Sequence, residues 1–292
     1  MSTGVMSSGV MTRVVPVRWP SALALVGATL LGVAAFGWPL LMGPGSTFEH
    51  QTDAPWVFVI LLAVLGAVVV AELSSGGLDA KTVALLGVLS AMGGALRVLG
   101  AGTAGLEPMF FLLVLGGRVL GPGAGFLLGG MSVLVGGFLT GGIGPWTPFQ
   151  MFGAAWVTLG AALLPKASGW PERVLLAGYG FVASLAFGAV MNLWFWPFMT
   201  GGAPDGGLFV PGDPASLNAA RYAVFYVATS LGWDLPRAVL TASLCLLAGR
   251  PILAALRRGV RRASFGAEAT HAVEATQADA TQAMDATQTA GR

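Results

Sequence analysis

The chain has 292 residues, of which 55% are hydrophobic and only 10% charged, with a net charge of +2 and a mean hydropathy of +0.77. A soluble domain carries about 25% charged residues, so this composition excludes a water-covered surface and implies a polytopic membrane protein. The one cysteine, Cys245, excludes an intramolecular disulfide and reads as a packed apolar residue.

Residues 1–20 are polar, carry Arg13 and Arg18, and read as a cytoplasmic N-terminal segment. Residues 21–41 form the first apolar run, about long enough to cross a hydrocarbon core of roughly 30 Å. A signal peptide is one reading of it. A second span follows at residues 56–73, so an uncleaved anchor is the expected one. Further spans are expected at residues 83–98, 108–120 and 124–139. The turn between the last two holds Arg118, Gly121 and Pro122. The loop Gly141-Gly142-Ile143-Gly144-Pro145-Trp146-Thr147-Pro148 precedes a span at residues 149–164. Its glycines permit tight backbone approach and its prolines fix φ. It is either a tight turn between two membrane helices or a rigid loop lining a ligand pocket.

A polar linker with Lys166 and Arg173 leads to a span at residues 174–197, and residues 199–216 form a polar loop. The apolar region 217–248 is too long for one span. Asp234 falls about 24 Å before Arg250, near the opposite boundary. The region therefore divides into a helix in or near the interface, residues 217–231, and an eighth span, residues 232–248. Gly232 and Pro236 mark the break. Residues 250–262 carry five arginines. Residues 263–292, with repeated Ala-Thr-Gln, read as a disordered cytoplasmic tail.

Eight spans can be oriented by their basic residues. With the N-terminus in the cytoplasm, Arg13, Arg18, Lys81, Arg118, Lys166, Arg173 and the arginines from Arg250 onward fall inside. The loops 42–55, 99–107, 140–148 and 199–216 contain no Lys or Arg and fall outside. The expected location is the plasma membrane, with both termini cytoplasmic.

Signals for catalysis are weak. His50 and His271 lie far apart, and no His/Cys/Asp cluster has metal-ligand spacing. There is no phosphate-binding glycine loop and no intramembrane histidine for a triad. No enzyme activity, no cofactor, no metal and no nucleic-acid partner are expected.

Ionisable groups at membrane depth are few: Arg97, Glu107, Arg221, Asp234 and Arg237. Such groups are costly in hydrocarbon and face protein or water. Asp234 and Arg237 are three apart on one helix and can pair. The pair either makes a polar break tolerable or forms the polar wall of a ligand site. Arg221, among Asn218, Tyr222 and Tyr226, either lines a ligand or belongs to an interfacial aromatic belt. Asn192 is an amide in an apolar span and needs a partner. With Trp146, Gln150 and Trp156 it would form an aromatic, amide-lined cup suited to a flat, hydrogen-bonding organic molecule. The candidate substrate-binding residues are Trp146, Thr147, Gln150, Trp156, Asn192, Trp196, Arg221 and Asp234. In the third span, Ala84, Gly87, Ala91 and Ala95 recur at spacings of three or four, a small-residue stripe that lets another helix approach closely. It serves either internal packing or the docking of a separate subunit.

Residues 81–262 resemble the substrate-binding S component of energy-coupling factor (ECF) transporters, the vitamin-uptake ABC systems. Three stretches carry the resemblance: Gly116-Gly117-Arg118-Val119-Leu120-Gly121-Pro122-Gly123-Ala124-Gly125; Gly144-Pro145-Trp146-Thr147-Pro148-Phe149-Gln150-Met151; and Met191-Asn192-Leu193-Trp194-Phe195-Trp196 with Gly232-Trp233-Asp234-Leu235-Pro236-Arg237. The resemblance implies an all-α membrane bundle, a six-helix core over residues 81–262 preceded by two additional transmembrane helices in residues 21–80. It implies that Ala91 and Ala95 match the Ala-x-x-x-Ala motif that docks on a transmembrane coupling subunit. Two cytoplasmic ATPases complete such an importer. It also implies a vitamin or related micronutrient bound from outside, under residues 99–107, 140–150 and 198–216. Cobalamin is the favoured ligand, because a wide cup rich in Gly and Trp fits a large one. Thiamin, riboflavin and a queuosine precursor stay open. The first two spans have no counterpart in the minimal S component. The rival from another class is a non-transporting membrane scaffold or assembly protein, whose glycines serve helix packing alone.

Overall fold

The computed structural model describes residues 19–41, 60, 63–64, 66–68, 80–100, 102–199 and 204–261. Among these every regular element is helical. They are α1 (Trp19–Leu41), α2 (Ala80–Gly100), α3 (Met109–Leu120), α4 (Pro122–Thr140), α5 (Thr147–Leu163), α6 (Gly169–Phe195), a 3-10 turn (Trp196–Phe198), α7 (Ala215–Thr229), α8 (Leu231–Leu247) and α9 (Gly249–Arg261). The helices α1, α2, α4 and α6 are each long and apolar enough to cross a membrane. A fifth crossing results if α8 and α9, bent by 73° where they join, are counted as one span. The protein is a helical membrane bundle.

The expected spans at residues 108–120 and 149–164 are helices at nearly those bounds, but shorter than the four long ones. They are α3, with 12 residues, and α5, with 17. At about 1.5 Å per residue α3 is only about 18 Å long, well short of the hydrocarbon core. It need not match the bilayer, because neighbours cover it and only Phe111 and Arg118 are less than fully buried. Of the expected span at residues 56–73 only six residues are described; they are helical, and Val68 joins the core. Residues 1–18, 42–59 and 262–292 lie outside the described residues, and with them most of the expected N-terminal segment, the first outer loop and the tail.

Local chemistry explains the sharp turns. Gly121 ends α3 with φ of 87°, a conformation open to glycine, and returns its N–H to the Gly117 carbonyl at 3.1 Å. Pro122 then opens α4, where its missing N–H costs nothing. Glycines also set the helix spacing at the centre. A β-carbon on Gly117 would strike the Thr158 carbonyl, and one on Gly129 the Ala154 carbonyl. α3, α4 and α5 therefore touch backbone to backbone, the packing that membrane helices obtain from small residues. α1 leans on this core through Phe36, whose ring is 5.1 Å from Phe149 and 5.2 Å from Trp156.

α2 packs inward through Leu86, Leu89, Ser90, Gly93 and Gly94, with Gly93 and Gly94 seated on Ser132, Val135 and Gly136 of α4. Its opposite face is exposed. Polar side chains gather at the two ends of the bundle. The loop end joins the close of α2 to the start of α3, α5 and α8. The arginine end joins the close of α3 and α8 to the start of α6 and to α9.

Candidate functional site

At the loop end, Arg237 stands in the second turn of α8 and reaches two carboxylates. Its Nε donates to Glu107 Oε2 at 2.6 Å and its Nη1 to Asp234 Oδ1 at 2.5 Å. The guanidinium also lies 5.1 Å from the Phe110 ring centroid and 5.5 Å from that of Phe187. The Asp234 side chain is only 4% exposed and that of Arg237 12%. α6 makes room for the carboxylate at Gly188, where a β-carbon would fall on it. Tyr226 of α7 is the neighbouring polar side chain.

Arg97 joins the group from α2. Its aliphatic stem crosses α4 at Gly136, and its Nη2 donates to Gln150 Oε1 at 2.6 Å. Two arginines and two carboxylates sum to zero net charge, which suits a largely buried site. The loop before α3 is fastened over them. Gly105, with φ of 87°, abuts the Trp233 backbone, and the Thr103 hydroxyl donates to the Gly100 carbonyl at 2.8 Å.

Each candidate substrate-binding residue has contacts of its own. Asp234 and Gln150 both belong to the ion network. Asn192 lies one turn from Gly188 and donates its amide N–H to that residue's carbonyl at 2.8 Å, its own helix supplying the partner it needs. Trp146 and Thr147 shape the loop 141–146: the Thr147 hydroxyl accepts the Gly144 N–H at 2.9 Å, and Trp146 Nε1 donates to the Gly142 carbonyl at 3.2 Å while its ring lies on Gly144. Trp196 is fully buried, donates to the Gly207 carbonyl at 2.7 Å, and packs on Phe209, Tyr222 and Phe225. Arg221 pairs with Asp213 at 2.6 Å and accompanies Asn218, which binds Val210 at both backbone groups. Trp196, Arg221 and Asn218 thus hold residues 204–214 against α7. Trp156 stands apart, under Phe36 of α1 and beside Phe152, with its indole N–H sealed in without an acceptor among the described residues.

The ion pair of Asp234 with Arg237 was legible from their spacing. Glu107 and Arg97 were visible as costly charges, yet nothing in the sequence joined them to their partners, which lie 130 and 53 positions away. The docking candidates Ala84, Gly87, Ala91 and Ala95 all lie on the exposed face of α2. No group of His, Cys, Asp or Glu among the described residues could hold a metal ion. Comparison with protein families, with curated proteins and with solved structures finds no match for this chain.

Proposed function

We propose that this protein is the substrate-binding S component of an ECF-type importer, capturing a vitamin or related micronutrient for ATP-driven uptake by partner subunits. The observation that carries this reading is the division of α2 into two small-residue faces. Ser90, Gly93 and Gly94 are used inside the bundle, so Ala84, Gly87, Ala91 and Ala95 are a second, outward set. Small residues on a lipid-facing surface gain nothing from lipid, whereas they let another helix approach closely. On this reading α2, α3, α4, α5, α6 and α8 are the six core helices, with α1 and the expected span at residues 56–73 as two additional ones. The loop end faces outside, and the ligand is favoured to be a cobamide. The network around Arg237, the loop 141–146 and the flap 204–214 surround its binding place. A transmembrane coupling subunit docks on α2, and two cytoplasmic ATPases supply the energy.

The experiment is a pair of measurements on one variant. Replacing Ala91 and Ala95 together by Leu abolishes vitamin uptake in cells and association with the coupling subunit. It leaves intact the small molecule that co-purifies with the chain, identified by mass spectrometry. Uptake that survives the substitution removes the docking role. A second reading, a membrane scaffold that carries no solute, is favoured by the self-neutralised charges at the loop end, which need no ligand to balance them. Purified protein carrying no small molecule, and binding none of the candidate vitamins, decides for the scaffold.

A further inference from the structure

At the arginine end a groove of about 360 Å3 opens between the first turn of α6 and α9. Glu172, Arg173, Arg250, Arg257, Arg258 and Arg261 line it, five cations against one anion, or four net positive charges. The anion is already engaged. Glu172 is buried, and its Oε1 receives Arg257 Nη2 at 2.6 Å and, from α3, Arg118 Nε at 3.0 Å. Arg173 donates Nη1 to the Leu246 carbonyl at 3.1 Å, while its Nε is sealed from solvent with no acceptor among the described residues. Arg250 and Arg258 are exposed, and no carboxylate among the described residues lies within salt-bridge distance of either. α6 begins at the groove with Gly169 and has no side-chain cap on its first N–H groups. Guanidinium forks beside an uncapped helix start match the oxygens of a phosphate group.

The surroundings say which phosphate. α9 buries Leu253 and Val260 against the bundle, carries its arginines elsewhere, and leaves α8 at 73°, the form of a helix that runs along a bilayer boundary rather than through it. Beside the groove Trp170 is 57% exposed, with the Arg173 guanidinium 4.4 Å from its ring, and Leu247 at the end of α8 is 80% exposed. Val174, one turn into α6, is exposed as well. A free phosphate gains nothing from these exposed apolar neighbours of Gly169, Arg173 and Leu246; a molecule with acyl chains does. We infer that the groove binds the phosphodiester headgroup of an anionic phospholipid, with Arg250 and Arg258 as the open grips and Trp170, Val174 and Leu247 against its chains. Basic pockets at helix boundaries are the usual recognition of such headgroups.

The test uses the full chain, purified in neutral detergent and delipidated, and native mass spectrometry with added dioctanoyl phosphatidylglycerol, dioctanoyl phosphatidylcholine or inorganic phosphate. The expected result is a one-to-one complex with phosphatidylglycerol, retained at least tenfold better than phosphatidylcholine. Arg250→Gln with Arg258→Gln reduces that complex at least tenfold, and Arg250→Lys with Arg258→Lys retains part of it. Both positions are exposed, so an unchanged unfolding temperature certifies the fold of each variant. Millimolar phosphate that displaces the lipid completely and binds with equal strength would assign the grips to a soluble anion and overturn the lipid. Equal retention of the two lipids, or undiminished binding by the Gln variant, would overturn the site itself.

Discussion

The two polar ends of the bundle solve opposite problems. At the loop end Arg97, Glu107, Asp234 and Arg237 cancel one another, and each arginine has a named acceptor within 2.6 Å. At the arginine end Glu172 is shared between Arg118 and Arg257, and Arg250 and Arg258 remain beyond it. The first arrangement is paired through Arg237, with only Asp234 Oδ2 left without a hydrogen-bond partner among the described residues, and it is intolerant of the loss of that arginine, because a buried carboxylate without its partner is costly. The second is open: its inner pair fixes α3, α6 and α9 together, and its outer cations are available to something else. Self-sufficiency marks structure, and surplus marks a surface that another molecule completes.

Four variants would break or sharpen this contrast. Arg237→Met strands two carboxylates at the loop end and is expected to cost about 3–5 kcal/mol, read as a large fall in the unfolding temperature in detergent. Glu172→Gln keeps an acceptor oxygen but removes the negative charge shared by two arginines, and is expected to cost about 2 kcal/mol, because Arg118 keeps the Leu164 and Pro165 carbonyls and Arg257 can turn to water. Gly136→Ala pushes on the Arg97 stem, 2.6 Å from the added carbon. The flexible side chain gives way, so the expected cost is about 1 kcal/mol, together with weaker anchoring of Gln150. Arg250→Gln with Arg258→Gln leaves the unfolding temperature within about 2 °C of the parent. If that double variant unfolds as early as Arg237→Met, the arginine end is as closed as the loop end and the contrast fails.

The membrane class, the helical content and the positions of most helices were legible because apolar runs and glycine-proline turns are local signals. The separation of α7 from α8 followed from counting back from Arg250 to Asp234. The depth of α3 did not follow, because a short apolar run reads the same whether lipid or protein surrounds it. The contacts of the aromatic and amide residues of the expected cup were not legible either. Folding assigned Asn192, Trp196 and Thr147 hydrogen-bond partners close by in the chain and turned Trp156 toward Phe36. A polar side chain in an apolar run announces that a partner exists and says nothing about which. The stripe on α2 was readable as a pattern, and only the fold distinguished its exposed members from Gly93 and Gly94 alongside them.

With no side chain at Gly188, the Asp234 carboxylate rests directly on the α6 backbone. Sliding α8 past α6 by one turn, about 5.4 Å, would drive that carboxylate into the side chain of Ser184 or Asn192. The two helices are therefore keyed together and move as a single strut.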